Sequence, residues 1–285
     1  PGGMGDGINY GHLTRQLVPR RFVVLMGALI GDFIGSPFER HNTSRSDFEL
    51  ITEHSHFTDD SVLTIATADA WISDRNYAAA YCRWVERYPL AGYGPSFLKW
   101  VGTGPDTPSY GSYGNGAAMR VSPLAWVLDS LDEVIDEARR SAKITHSHPE
   151  GMQGAIAIAG ATFLFRRGRS ESEVRDFVTN RVQLPLHHNL DFWRRRRGFS
   201  AAARNTVPVA FAALSEATDF EDAIRLAVSA GGDSDTIASM TGAMAEARWG
   251  IPPDLHDRVW AKLPTPLREV LLRFSVAPLP AGTVR

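Results

Sequence analysis

Gly154-Ala155-Ile156-Ala157-Ile158-Ala159-Gly160-Ala161 is the stretch of this 285-residue chain that decides the fold. It contains only glycine, alanine and isoleucine, and it lies in a longer segment, 151–167, whose apolar residues recur at helical spacing. Small side chains let neighbouring helices approach closely. The stretch therefore predicts a helix inside a tightly packed helical bundle.

The same helical spacing recurs along most of the chain, whereas alternating β patterns are almost absent. Residues 48–52 are the only weak strand candidate. We therefore predict an all-α domain of about a dozen helices. The other predicted helices are residues 22–36, 61–73, 77–87, 116–128, 131–144, 171–181, 201–217, 220–230, 235–249 and 255–262.

Composition excludes several classes of protein. Hydrophobic residues make up 44% of the chain and charged residues 22%, which is typical of a soluble globular protein. The net charge of −2 gives no general attraction to nucleic acid or to an anionic membrane. The single cysteine, Cys82, rules out an internal disulfide and a zinc site built on several cysteines. It is more typical of a buried thiol than of a nucleophile.

The chain reads as one domain, because helical patterns resume with unchanged composition after each break. Residues 1–21 are predicted to be a flexible N-terminal segment that begins with a tag-like remnant before Met4. Residues 22–275 form the predicted domain, and 276–285 a Pro/Gly-rich tail. No apolar run has the roughly 18–20 residues that would span a bilayer, and we recognise no signal peptide. A cytoplasmic protein without a membrane partner is therefore expected.

Two acidic clusters dominate the chain: Thr58-Asp59-Asp60-Ser61 and Gly231-Gly232-Asp233-Ser234-Asp235-Thr236. Each precedes a helical pattern, so we place both at helix starts that face each other across a cleft. Four carboxylates converge only if cations neutralise them, and oxygen ligands suit Mg²⁺ or Mn²⁺. A charge of about −4 would be balanced by two divalent ions. The alternative is that Asp60 and Asp235 are ordinary helix N-caps.

Two further loops could bind a ligand. Ser109-Tyr110-Gly111-Ser112-Tyr113-Gly114-Asn115-Gly116 opens a predicted helix, where free backbone N–H groups could hold phosphate and the two tyrosines could stack on a base. The alternative is a flexible connector. Residues 145–150 contain His146 and His148, which could bind a polar ligand. The alternatives are a cap by Ser147 with surface histidines or, less favoured, a zinc site.

Two other features have both a functional and an ordinary interpretation. Glu39 follows glycines 27, 31 and 35, whose four-residue spacing gives a smooth face for close packing. That face could also let a phosphate or metal approach the backbone, with Glu39 as a base. Arg194-Arg195-Arg196-Arg197 follows Trp193 and could contact an acidic partner or nucleic acid. A solvated loop is the favoured interpretation of this run.

These pieces, in this order, resemble the ADP-ribosylglycohydrolase family. The matching stretches are 27–39, Phe57-Thr58-Asp59-Asp60-Ser61, Tyr113-Gly114-Asn115-Gly116-Ala117-Ala118-Met119-Arg120, 145–151, Asn205-Thr206-Val207-Pro208 and 231–236. The resemblance spans roughly residues 22–275. It implies a single orthogonal all-α bundle, an ADP-ribosylhydrolase activity and a binuclear magnesium or manganese centre.

The resemblance also assigns roles to particular residues. Thr58, Asp59 and Asp60 would hold one ion, Asp233 and Thr236 the other, and Asp235 would bridge the two. Glu39 matches a glutamate that orients or deprotonates the attacking water, so the implied catalytic set is Glu39, Asp59, Asp60 and Asp235. The residues implied to bind the ADP-ribose moiety are Ser112, Tyr113, Gly114, Asn115, Gly116 and His146.

Three functions are compatible with these features. The first is hydrolysis of the N- or O-glycosidic bond between ADP-ribose and a protein side chain, arginine or serine. The second is hydrolysis of an ADP-ribosylated small molecule or nucleic acid. The third is binding of ADP-ribose without catalysis. Retention of the acidic ligands and Glu39 argues against the third, while the scissile linkage, the choice between Mg²⁺ and Mn²⁺ and the oligomeric state stay open at this level.

Overall fold

The computed structural model describes residues 25–187, 189–196 and 198–276, and within them it is all-α with no strand. Its helices are α1 (Met26–Gly35), α2 (Asp59–Ile72), α3 (Tyr77–Arg87), α4 (Pro95–Thr103), α5 (Gly116–Met119), α6 (Leu124–Val127), α7 (Leu131–Lys143), α8 (Pro149–Arg166), α9 (Glu171–Asp176), α10 (Leu190–Arg194), α11 (Ala203–Glu216), α12 (Phe220–Ser229), α13 (Ser234–Trp249), α14 (Pro253–Lys262) and α15 (Thr265–Val276). A 3₁₀ turn, Ser36–Phe38, follows α1, and a π turn, Phe177–Arg181, follows α9. The predicted fold class is confirmed.

Several predicted boundaries are wrong. The helix expected at 116–128 is two short helices, α5 and α6, because Pro123 between them has no N–H and cannot continue a helix. The weak strand candidate, 48–52, has irregular structure. Helices α4, α10 and α15 were not predicted: α4 and α10 have only nine and five residues, and prolines at 264 and 266 border the start of α15. The N-terminal segment 1–21 and, apart from Val276, the predicted tail lie outside the described residues.

The Gly/Ala-rich stretch lies in α8, at the centre of the bundle, where α8 packs against α5, α7, α11 and α13. Its glycines are needed for this packing. A Cβ atom at Gly160 would lie 2.3 Å from the ring of Phe177, and one at Gly154 would lie 3.0 Å from the Cβ of Ala203. The structure therefore confirms the prediction that small side chains allow close helix packing here.

Helix α1 packs against α13 with almost no space between the two backbones. A Cβ at Gly31 would lie 2.0 Å from the carbonyl oxygen of Ala238, and one at Gly35 would lie 2.5 Å from the Cα of Asp235. Only glycine permits this approach, because any side chain would overlap main-chain atoms. The glycine face thus holds α1 against the first turn of α13, where the second acidic cluster begins.

A buried carboxylate caps the start of α1. Glu246, on α13, accepts a hydrogen bond from the backbone N–H of Gly27 through Oε2 at 2.8 Å. Burial raises the pKa of Glu246 to about 8, although the backbone N–H groups of α1 oppose the rise. The carboxyl group therefore binds a proton more tightly in the folded chain than in the unfolded chain.

This shift predicts a pH-dependent stability difference between the wild type and Glu246→Gln. Between pH 5 and about 8 the folded wild type holds a proton that the unfolded chain releases, so its free energy of unfolding falls as the pH rises. We expect the wild type to lose on the order of a few kcal/mol relative to the variant across this window. Urea unfolding at several pH values measures it, with exposed Glu269→Gln as the control for loss of one carboxylate. A difference that is constant with pH would contradict the prediction.

Two minor predictions also have an outcome in the described residues. Cys82 is a free, buried thiol, as expected. No helix there combines the length and apolar character that crossing a bilayer requires.

Candidate active site

The two acidic clusters meet at the starts of α2 and α13. Carboxylate oxygens of Asp32, Asp60 and Asp235 lie within 4.8 Å of one another, and so do those of Glu39, Asp233 and Asp235. The hydroxyl of Thr236 donates to Oδ2 of Asp60 at 3.0 Å and links the two helix starts directly. The predicted convergence of the remote clusters at facing helix starts is therefore confirmed, with Asp235 common to both carboxylate groups.

Neither Asp60 nor Asp235 is an N-cap. Thr58 occupies the N-cap position of α2 and accepts a hydrogen bond from the N–H of Asp60. Asp233 occupies that position in α13, but its side chain makes no capping hydrogen bond. Asp60 and Asp235 are each the second residue of their helix, so the capping alternative for them is wrong.

Asp32 belongs to the site although the sequence analysis gave it no role. It is completely buried in α1, where Oδ2 accepts from the N–H of Thr58 at 2.9 Å and from the N–H of Ser61 at 3.1 Å. The hydroxyl of Thr58 donates to Oδ1 at 2.7 Å, and the hydroxyl of Ser61 donates to Oδ2. Asp32 thus fixes the backbone and side chains at the start of α2. A charged residue within an otherwise apolar helix was the signal that could have revealed it.

Crowding and burial shift the protonation of these carboxyl groups. Burial, followed by the negative charges of Asp32 and Asp233, raises the pKa of Asp59 to about 8. Burial and the charge of Asp235 hold the pKa of Asp60 well above its ordinary value. Burial and the charge of Asp233 do the same for Asp235. Bare carboxylates at these positions repel one another, so the site favours bound positive charge.

The donor set fits hard divalent cations. Every candidate ligand offers oxygen, as Mg²⁺ and Mn²⁺ prefer. Oδ1 of Asp60 is buried and has no hydrogen-bond partner among the described residues, which leaves one acceptor available for a cation. Asp59 belongs to neither group of three close carboxylates, although it lines a cavity beside them. Thr58 and Thr236 also line the cavity.

A cavity of about 1370 Å³ opens above the acidic groups. The predicted glycine-rich loop forms one wall, and each of its proposed binding residues lines the cavity: Ser112, Tyr113, Gly114, Asn115 and Gly116. The loop is held rather than free. The N–H of Asn115 donates to the carbonyl of Ala201 at 2.7 Å, and the N–H of Ala203 donates to the carbonyl of Tyr113 at 3.0 Å. The alternative of a flexible connector is therefore disfavoured.

Asn115 connects the loop to the acidic groups. Its Nδ2 donates to Oδ2 of Asp233 at 2.8 Å, and its side chain is buried. The phosphate site that we predicted at a long helix N-terminus is weaker than expected, because α5 has only four residues. The wall of the cavity therefore depends on loop backbone and side chains more than on a helix dipole.

The two histidines of the 145–150 segment have different environments. His146 is buried against the cavity wall, where Nδ1 lies 2.8 Å from the hydroxyl oxygen of Thr145. His148 caps α8 by accepting a hydrogen bond from the N–H of Glu150 at 3.2 Å. Ser147 is not the cap, and the two imidazoles form no metal-binding group among the described residues.

Arg194, Arg195 and Arg196 do not line this cavity. Arg194 pairs with Asp191 at 3.0 Å and donates to the hydroxyl of Ser229 at 2.6 Å. The guanidinium of Arg196 stacks 3.5 Å from the ring centroid of Phe192. Arg197 lies outside the described residues. The interpretation as a solvated loop fits Arg195 and Arg196, which are exposed and follow α10, but it is wrong for Arg194, which is half-buried and ends that helix.

A family model, sequence relatives and a solved structure that match this chain all carry names of ADP-ribosylglycohydrolases or ADP-ribosylhydrolases. The ADP-ribosylglycohydrolase family model matches residues 18–277. The chain is 26% identical to mouse ADP-ribosylhydrolase ARH3 over 80% of this chain and 83% of that protein. It is 24% identical to ADP-ribosylarginine hydrolase Tri1 of Pseudomonas putida, over 87% and 76% of the two chains. A solved structure described as an ADP-ribosylglycohydrolase-related protein complex has the same fold, with a TM-score of 0.66, 22% identity and coverage of 90% and 98%.

Proposed function

Since the chain belongs to the ADP-ribosylglycohydrolase family, and is thereby a glycosidase of the ADP-ribosylhydrolase type, we propose that it releases ADP-ribose from modified arginine or serine side chains of proteins. The observation that carries the proposal is the meeting of two remote acidic clusters beneath a cavity walled by the glycine-rich loop. The name of one relative, ADP-ribosylarginine hydrolase, supports the arginine linkage.

Two divalent cations, Mg²⁺ or Mn²⁺, are part of the proposal. The residues that would hold them are Thr58, Asp59, Asp60, Asp233, Asp235 and Thr236. When bound, such ions would neutralise the carboxylates, orient the ribose hydroxyls and lower the pKa of a water molecule. Asp32 would act indirectly, since its oxygens already accept hydrogen bonds from Thr58 and Ser61.

Glu39 is the proposed general base. It lines the cavity, is half-buried and has a carboxylate oxygen within 4.8 Å of those of Asp233 and Asp235. Glu39 would take a proton from the water as the water oxygen bonds to C1 of the ribose. The bond from C1 to the side-chain nitrogen or oxygen would break, and the departing atom would take up a proton from solvent. The part of the cavity wall formed by residues 112–116 and His146 would hold the rest of ADP-ribose.

A release assay resolved by linkage tests the proposal. With Mg²⁺ or Mn²⁺ present we expect ADP-ribose to be freed from arginine- or serine-modified protein, and we expect chelation to lower the rate by about 10²–10³-fold or more. Adding either metal back should restore it. Asp176→Asn, at an exposed position on α9 outside the cavity, is the control variant.

Each other outcome of the assay has a definite meaning. Release only from ADP-ribosylated nucleic acid or a small molecule would show that the substrate is not a modified protein. Calorimetric binding of ADP-ribose with no release from any substrate would support a binding protein. A full rate after exhaustive chelation would overturn the metal requirement.

A further inference from the structure

Arg120, a buried residue that lines the ligand cavity, has no acidic partner in the described part of the chain. Arg120 is 1% exposed, and its guanidinium lies 4.1 Å from the ring centroid of Tyr81 and 5.7 Å from that of Phe97. Among the described residues no carboxylate forms an ion pair with it, and its Nε has no hydrogen-bond partner. A buried cation without an anion is costly, so a structural role alone is a weak reason for it.

The hydroxyl group of Thr145 links Arg120 to His146. Its Nη2 donates to Oγ1 of Thr145 at 2.8 Å, and the same oxygen lies 2.8 Å from Nδ1 of His146. Thr145 is completely buried and has no other side-chain hydrogen-bond partner among the described residues. The three side chains therefore form one chain of hydrogen bonds.

The direction of these hydrogen bonds fixes the tautomer of His146. A guanidinium carries only donors, so Oγ1 of Thr145 must accept from Arg120. If Nδ1 of His146 also donated to that oxygen, the Thr145 hydroxyl proton would be buried without an acceptor, at a cost of about 1–3 kcal/mol. The hydroxyl proton therefore points to Nδ1, and the imidazole proton resides on Nε2. Burial and the positive charge of Arg120 hold the pKa of His146 well below its ordinary value, which is consistent with a neutral ring.

The Nε2 atom faces the cavity. His146 lines it, and Nε2 has no hydrogen-bond partner among the described residues although the side chain is only 4% exposed. A Cβ placed at Gly116 would lie 3.2 Å from Nε2, and one at Gly114 would lie 3.6 Å from it. The absence of side chains at these two glycines leaves the donor accessible to a ligand.

We propose that Arg120 and Thr145 are positioning residues that hold His146 as the neutral Nε2–H tautomer, a fixed donor to an acceptor oxygen of the bound ADP-ribose. The inference deepens the proposed function and rests on it for the identity of the ligand. The nearby unpaired guanidinium favours an anionic oxygen, such as one of the diphosphate, over a neutral oxygen.

Nuclear magnetic resonance of the protein without ligand tests the tautomer independently of any activity. In protein labelled with ¹⁵N-histidine at neutral pH, the His146 ring, assigned by its loss in His146→Gln, should show a protonated Nε2 and an unprotonated Nδ1. The same spectrum of Thr145→Val should show a mixture of tautomers, whereas Thr145→Ser, which keeps the hydroxyl, should match the wild type. A protonated Nδ1 in the wild type would overturn the proposal, whatever the enzyme hydrolyses.

Calorimetry with ADP-ribose tests the consequence for binding. We expect Thr145→Val to raise Kd by about 5–10-fold, as loss of one ordered hydrogen bond predicts, and Thr145→Ser to stay within about 2-fold. His146→Gln, which can place an amide N–H near the Nε2 position, should bind more tightly than His146→Asn. If Thr145→Val and the wild type bind ADP-ribose with equal affinity, Thr145 does not position His146 for binding. If the wild type does not bind ADP-ribose, the proposed function is refuted. The NMR spectra would still decide the tautomer of His146, because they need no ligand.

Discussion

Asp235→Asn is expected to lower kcat for ADP-ribose release by about 10³-fold or more, with the fold retained. Asp235 is the one carboxylate shared by both groups of close acidic side chains. Asparagine has nearly the same volume and can still accept the hydrogen bond that the N–H of Thr236 donates to Oδ1 at 2.9 Å. The substitution therefore removes charge while it preserves local packing.

The stability of this variant separates loss of chemistry from loss of folding. Burial and the charge of Asp233 hold the pKa of Asp235 well above its ordinary value. Without a metal ion, the ionised Asp235 carboxylate therefore destabilises the folded state. We expect the metal-free variant to be at least as stable as the metal-free wild type. Added Mg²⁺ or Mn²⁺ should raise the Tm of the wild type, since a ligand that binds only the folded state stabilises it, and should raise that of the variant much less.

Thermal denaturation with and without metal, combined with the release assay, measures both effects. Asp176→Asn serves again as the control for removal of an exposed acid. Turnover by Asp235→Asn within 10-fold of the wild type would rule out its bridging role. An equal metal-induced rise in Tm for both proteins would rule out its role in binding the ions.

Asp32→Asn is expected to have the second largest effect. It should weaken metal binding and leave much of kcat intact. Oδ1 and Oδ2 of Asp32 both accept hydrogen bonds, from Thr58 on one side and from Thr58 and Ser61 on the other. An amide can accept through one atom only, so its NH₂ group must face a donor. The start of α2, and with it Asp59 and Asp60, should shift.

Loss of a residue that orients metal ligands through hydrogen bonds lowers metal affinity by about 10–100-fold. We therefore expect the metal concentration that gives half-maximal activity to rise by that factor in Asp32→Asn, with much of kcat recovered at saturating metal. Asp235→Asn should not be rescued in this way. A metal titration of both variants in the release assay distinguishes them, and an unchanged half-maximal concentration for Asp32→Asn would show that its hydrogen bonds do not organise the site.

Sequence alone determined the local elements of this protein. Apolar spacing predicted most of the helices, the glycine spacing at 27, 31 and 35 predicted a close packing face, and both acidic clusters were placed correctly at helix starts. These features follow from interactions within a few residues of chain, such as helix periodicity and the backbone freedom of glycine. Boundaries failed where a single proline divided a helix and where helices were too short for a periodic pattern.

Tertiary structure alone decided which remote side chains touch. Asp32 joined the site because packing of α1 against the start of α2 places it beside Thr58 and Ser61. Asn115 reached Asp233, and the hydroxyl of Thr145 came between Arg120 and His146, through folding of loops that carry no local signal for these contacts. Hydrogen bonds act over about 3 Å. Their partners are therefore set by helix packing, which local sequence patterns do not specify.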